Sequence, residues 1–248
     1  MREGSPEPGE VRSPARSRAS GRAPRRSLQE TFVRMHESGA WNPVGVGAPG
    51  TGTVSDSGPG SNLAQTEALR SELPGLLAEL GVRSLLDVPC GDCFWMSRTA
   101  LDLDHYIGAD IVPALIRRNE ERFARPGHEF RVVDLTRDPL PRVDMIFTRD
   151  CLVHLGDEDI RRALDNIVRS ASTYLATTTF TERTENPADI EAGGWRPLNL
   201  RLAPFSLPEP SHLLDERCTE VYVTAEDGVE TEHRFPDKSI GVWRIADL

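Results

Sequence analysis

Four aspartates stand at or just beyond the ends of short apolar runs, and their spacing points to the recognition of a nucleoside. Asp87 closes the run SLLDVPCGDCFWM, and Gly91 supplies the tight turn and close backbone approach that a bound ligand requires. Asp110 ends YIGADIV, 23 residues later, where an acid can accept hydrogen bonds from both hydroxyls of a ribose. Asp134, in VVDLTRDPLP, is placed to accept from an exocyclic amine of adenine, with Leu135 beside it. The last run ends in FTRDCLVHL, which brings Arg149, Asp150 and His154 together. A single aspartate at a strand end is more often a turn former or helix cap. Four in succession make a site.

The elements that must carry these residues follow from the apolar pattern. Strands are predicted at Ser84–Val88, His105–Ala109, Glu129–Asp134, Val143–Thr148 and Thr173–Phe180. Helices are predicted at Leu28–Met35, Asn62–Leu80, Phe94–Leu101, Pro113–Phe123 and Asp157–Ser170. Such alternation implies crossover connections and therefore a parallel sheet covered on both faces. In an open sheet of that kind ligands bind beyond the carboxyl ends of the strands, at the point where strand order reverses. Glu220–Ala225 and Ser239–Ile245 read as two further strands forming an antiparallel hairpin at the edge. The expected fold is thus α/β, Rossmann-like and doubly wound, with a mostly parallel seven-stranded sheet and an antiparallel C-terminal edge hairpin.

Composition narrows the rest. The 248 residues, 38% hydrophobic and 27% charged, fit one catalytic-sized domain, and no run is long and apolar enough for a membrane span or a secretory leader. A cytoplasmic protein without membrane contact is expected. Residues 1–27 hold seven arginines against three glutamates and almost nothing apolar, so they read as a disordered basic tail. The remaining 221 residues carry a net charge of −14, which argues against a nucleic-acid partner. Residues 28–61, Gly- and Pro-rich toward their end, read as a cap or lid segment, and 62–248 as the catalytic domain. Only one of the 29 basic residues is a lysine, Lys238, a bias attributed to base composition.

The blocks DVPCGD, GADIV, DLTRDPLP and RDCLVHL in this order resemble the class I S-adenosylmethionine (SAM) dependent methyltransferases, in a bacterial branch with DxPCGD and RDxLxHL motifs, over roughly residues 55–248. The resemblance implies SAM as cofactor. It places Asp87 and Gly91 beside the methionine end, Asp110 on the ribose, and Asp134 with Leu135 around the adenine, and it adds Pro89, Cys90, Asp92, Ile111 and Arg149 to the cofactor-binding residues. The departure from the usual three-glycine loop is Pro89, Gly91 and Cys93 at the equivalent positions. An NAD site is disfavoured by the absence of GxGxxG and by Asp92 where a pyrophosphate would lie. Cys90-Gly-Asp-Cys93 also spells a CxxC pair, but no second pair completes a zinc site, and no metal is expected.

For the chemistry, His154 is the expected base, with Asp150 orienting it or touching the cofactor. Its alternative is a packed histidine at a helix start. Phe94 and Trp95 are either sulfonium-facing aromatics or core. In GGWRPLN, Trp195, Arg196 and Asn199 are the expected substrate contacts, Arg196 as a fork for a carboxylate or phosphate; the alternative is a structural turn. SDSGPGS reads as a lid, an anion cradle or a hinge. Together these readings imply methyl transfer to an oxygen, or less readily a nitrogen, of a small molecule such as a secondary metabolite. Two other classes are a catalytically silent SAM- or nucleoside-binding partner subunit and a nucleic-acid methyltransferase. The sequence leaves oligomeric state open.

Overall fold

A computed structural model describes residues 26–41, 54–226 and 229–248, with side chains described outside 223–230. The bulk of residues 1–27 therefore lies outside the described residues, but Ser27 does not. It caps helix α1 (Leu28–Ser38) through a reciprocal pair, its hydroxyl accepting from Glu30 N–H while the Glu30 carboxylate accepts from Ser27 N–H.

Five strands, β1 (Ser84–Asp87), β2 (His105–Asp110), β3 (His128–Val132), β4 (Met145–Thr148) and β5 (Tyr174–Phe180), run parallel. Helices α2 (Glu67–Glu79), α3 (Pro113–Phe123) and α4 (Asp157–Arg169) flank them. The sheet is completed by β6 (His212–Asp215) and β9 (Lys238–Arg244), in the order β3-β2-β1-β4-β5-β9-β6, with β9 antiparallel to both neighbours. Strand order reverses between β1 and β4. Successive side chains divide between two cores: Leu85, Met145 and Phe147 pack with Leu69, Leu73 and Leu76 of α2, while Leu86 and Ile146 pack with Ile160, Ala163 and Ile167 of α4. Burial on both faces explains why these strands read as continuous apolar runs. In β9 the Trp243 ring lies where a side chain on Gly241 would stand, so only glycine fits there.

Four expectations change. Phe94–Leu101 is not a helix but a single 3-10 turn at Met96–Arg98, because side chains take the carbonyls a helix would use: Ser97 and Arg98 donate to Phe94 O and Thr99 donates to Trp95 O. The second helix begins at Glu67 with Thr66 ahead of it, not at Asn62, since the Asn62 side-chain oxygen is engaged by Ser55 N–H. Strand β7 (Val221–Glu226) does not pair with the Ser239 strand. It pairs with β8 (Val229–Arg234), a polar stretch that lacks an apolar alternation, in a separate two-stranded ribbon. The chain bridging them is Asp-Gly, which favours short hairpin connections and offers β7 a nearer partner. Finally, β6 forms where no strand is predicted, just after Pro208 and Pro210.

Candidate active site

The strand tips open into one cavity of about 710 Å³, within the size range of small-molecule sites. Asp87, Pro89, Cys90, Gly91, Asp92, Asp110, Ile111, Asp134, Leu135, Arg149, Asp150, His154 and Trp195 all line it. The carboxylates inferred from sequence therefore converge on a single space. Its roof is made by Phe32 and Met35 of α1, by Trp41, and by Gly58–Ser61.

At the β1 tip, Gly91 adopts φ +54°, and a side chain there would collide with the Ser57 hydroxyl. Asp110 accepts from Gly91 N–H at 3.1 Å and Val112 N–H at 2.9 Å. Burial raises its pKa to about 6, and among the described residues no side-chain cation neutralises it. Two backbone donors fix this carboxylate while leaving lone pairs for a diol. Asp87 accepts from the Tyr106 hydroxyl at 2.6 Å, and burial pushes it up to about 7. Asp134 is a turn former as well as a lining residue, accepting from Thr136 N–H and Oγ1 and pairing with Arg137.

Asp92 faces the roof. Its carboxylate accepts from Ser55 Oγ at 2.9 Å, Asp56 N–H at 2.7 Å and Ser57 Oγ at 3.2 Å. The SDSG segment is thereby pinned over the cavity. Trp95 lines the cavity; Phe94 is buried away from it, under the Arg98 guanidinium. Cys90 and Cys93 are free, buried thiols with pKa values raised by burial, Cys93 to about 12. That environment silences nucleophilic thiolate chemistry. Among the described residues no group of His, Cys, Asp or Glu is arranged to hold a metal ion.

Beyond β4, Asp150 adopts φ +51°, held by its N–H donating to Thr178 Oγ1 at 2.8 Å. Lys238 Nζ donates to Asp150 Oδ2 at 2.7 Å, and Arg149 lies 3.3 Å from the same oxygen. Burial opposes charge on Asp150, but the two cations outweigh it and lower its pKa. Arg149 in turn binds Glu216 through Nε and Nη2, and donates to Gly60 O in the roof. His154 Nδ1 lies 2.7 Å from Gly194 O. A carbonyl only accepts, so Nδ1 carries the proton and Nε2 keeps its lone pair. Burial lowers the His154 pKa, holding the ring neutral.

Two expected substrate residues are not brought to the cavity. Arg196 is buried with its guanidinium on Asp157 at 2.6 Å, Leu155 O and Ala188 O, stitching the 193–196 segment to the start of α4. Asn199 is buried and donates to Arg183 O. Their polar groups are consumed by loop backbone, the structural-turn alternative. Conversely, sequence reasoning passed over Lys238, Glu220, Tyr222 and Phe235, all of which line the cavity. The signal for Lys238 was its solitude: a site that uses an ammonium in an otherwise all-arginine chain.

Residues 85–173 match the model of a methyltransferase domain family. Magnesium protoporphyrin IX methyltransferase (ChlM) from Synechocystis PCC 6803 shares the fold: with bound SAH the TM-score is 0.52 over 88% of this chain and 97% of that one, and with bound SAM 0.51 over 90% and 99%, each at 10% identity. The methyltransferase domain of bacterial CtHen1-CN aligns at 12% identity and a TM-score of 0.42, over 46% of this chain and 66% of its own. No curated protein is similar to the chain in sequence at a significant level. No described helix is long and apolar enough to cross a membrane. Residues 85–173 are accordingly a methyltransferase domain, and the chain around them has the class I SAM-dependent methyltransferase fold.

Proposed function

We propose that this methyltransferase moves a methyl group from SAM to an oxygen of a small molecule, with His154 as the base. The observation that carries the reading is the His154–Gly194 hydrogen bond, which dictates the tautomer and leaves Nε2 as an acceptor on a ring lining the cavity. When bound, SAM supplies a methyl on a sulfonium, open to in-line attack.

The chain's own groups do the remaining work. Asp110 receives the ribose hydroxyls, and Asp87 and the Gly91 turn border the methionine end. Asp134, Leu135 and Ile111 enclose the base. The cavity lining is rich in carboxylates, which suits a cation and disfavours a phosphate-bearing nucleotide. Asp150, tethered by Lys238, adds negative charge near the transfer point, and Trp195 walls the acceptor. His154 takes the hydroxyl proton as the oxygen attacks, and alignment within the cavity contributes the larger share of the rate, up to about 7–11 kcal/mol. Residues 28–61 act as the cap, since Phe32, Met35, Trp41 and the 58–61 turn close the roof. Residues 62–248 are the catalytic body, residues 1–25 are dispensable, and the protein works in the cytoplasm on a soluble acceptor.

The deciding experiment is incubation of the protein with a native small-molecule extract and methyl-labelled SAM, followed by untargeted mass spectrometry. A labelled O-methyl product that His154→Ala fails to form supports the reading. Label on nitrogen, on nucleic acid or on nothing overturns it.

A further inference from the structure

Charge pairing around the cavity identifies what kind of acceptor fits. Six carboxylates line it, Asp87, Asp92, Asp110, Asp134, Asp150 and Glu220, against two strong cations, Arg149 and Lys238. Both cations are committed, Arg149 to Glu216 through two hydrogen bonds and Lys238 to Asp150. Among the described residues, an anionic acceptor finds no open cation there. Arg196, the other candidate, is buried in its loop.

Five of the six carboxylates are also committed. Asp92 holds the roof, Asp134 its own turn, Asp150 Lys238; Asp87 takes the Tyr106 hydroxyl and Asp110 two backbone N–H groups. Glu220 is the exception. Among the described residues it makes no ion pair, and the Cys218 thiol donates to its Oε2 at 3.9 Å. Half-buried on the acceptor side, it lies against Gly60, close to Asp150, and burial raises its pKa although Lys238 and Arg149 act from a distance to lower it.

The surface next to it is aromatic. Trp195 meets Phe235 edge to face with centroids 4.9 Å apart, and Tyr222, two residues beyond Glu220, lies 6.3 Å from Trp195. Trp195 is 39% exposed, so part of its surface remains open. A carboxylate with no direct ion pair among the described residues, beside open aromatic faces, is a setting for an organic cation, which a ring quadrupole and a desolvated carboxylate both attract.

We infer that the acceptor is an amine-bearing small molecule whose protonated amine pairs with Glu220 against the Trp195–Tyr222–Phe235 wall, while a separate hydroxyl faces His154. This deepens the methyl-transfer reading and rests on it.

The test is calorimetric titration of the full chain. SAH is added first, and its failure to bind the wild-type protein would sink the methyl-transfer reading itself. The SAH complex is then titrated with three phenols of one shape: tyramine, its alcohol counterpart tyrosol, and para-hydroxyphenylacetate. Tyramine is expected to bind about 10- to 100-fold more tightly than tyrosol, as a charge-assisted bond in a partly dry site provides, with the carboxylate weakest. Glu220→Gln should erase the tyramine advantage while leaving tyrosol and SAH affinity unchanged. Equal affinity for tyramine and tyrosol, binding of none of the three, or an advantage that survives Glu220→Gln overturns the inference. So does a loss of SAH affinity in that variant, which would give Glu220 to the cofactor instead.

Discussion

Lys238 donates to Asp150 at 2.7 Å across 88 positions of sequence, tying the first residue of the antiparallel strand β9 to the tip of the parallel strand β4. Both side chains are largely withdrawn from water, and Glu216 lies 3.5 Å from the same ammonium. Removing the lysine strands charge in a poorly solvated place. Lys238→Met is expected to cost about 2–4 kcal/mol in urea unfolding, and Lys238→Met with Asp150→Asn to recover part of it. If the single substitution is neutral, the pair is not a structural tie.

The tautomer of His154 fixes a pH signature. Because burial lowers its pKa, the ring stays neutral below the ordinary histidine midpoint, so kcat/KM should hold steady downward through pH 6.5 and fall only below it. His154→Ala should lower kcat by about 10²–10⁴ and leave SAH affinity intact. Equal loss of affinity would show a packing role.

Asp110→Ala removes the acceptor of two backbone N–H groups together with the proposed diol contact. Calorimetry should register a fall in SAM affinity of about tenfold or more, because hydrogen bonds to a charged group are lost. Asp110→Asn should recover less for SAM than for chain stability, since the amide can still accept from only one oxygen.

Asp87 makes apo stability depend on pH in an unusual direction. Its folded pKa, about 7, lies above the ordinary value near 3.9 of an unfolded aspartate, so across that window the folded chain holds a proton the unfolded chain has released. This group's contribution is full below pH ~4 and is lost as pH rises toward 7. Comparing melting temperatures of the wild type and Asp87→Asn from pH 5 to 8, on the order of a few degrees, should isolate the slope.

How far the sequence reaches is visible in particular residues. The parallel strands were legible because burial on both faces removes alternation and leaves bare apolar runs, as at Leu85–Leu86 and Ile146–Phe147. The strand-tip acids were legible because chain order alone places them at the carboxyl ends. Arg196 and Asn199 were misread because a polar side chain in a long loop serves its own backbone as readily as a ligand, and only coordinates decide between them. Glu220, Tyr222 and Phe235 were missed for the opposite reason. They reach the cavity through a two-stranded ribbon outside the main sheet, a placement set by long-range packing with no local signature.

Asp92 offers the last check, since its carboxylate joins the glycine turn after β1 to the 55–57 segment of the roof and forms no ion pair among the described residues. Asp92→Ala deprives two hydroxyls and the N–H groups of Asp56 and Phe94 of their acceptor, while the apolar packing beneath the turn is untouched. Global stability should therefore fall by only about 1–3 kcal/mol, the range for donors left unmet. The local effect should be larger: amide exchange at 55–61 accelerates selectively, and SAM dissociates faster with little change in its association rate, because the roof retains a bound molecule rather than admitting it. Exchange that rises uniformly across the sheet would mean Asp92 is a core support, and the 54–61 segment a passenger rather than a cover.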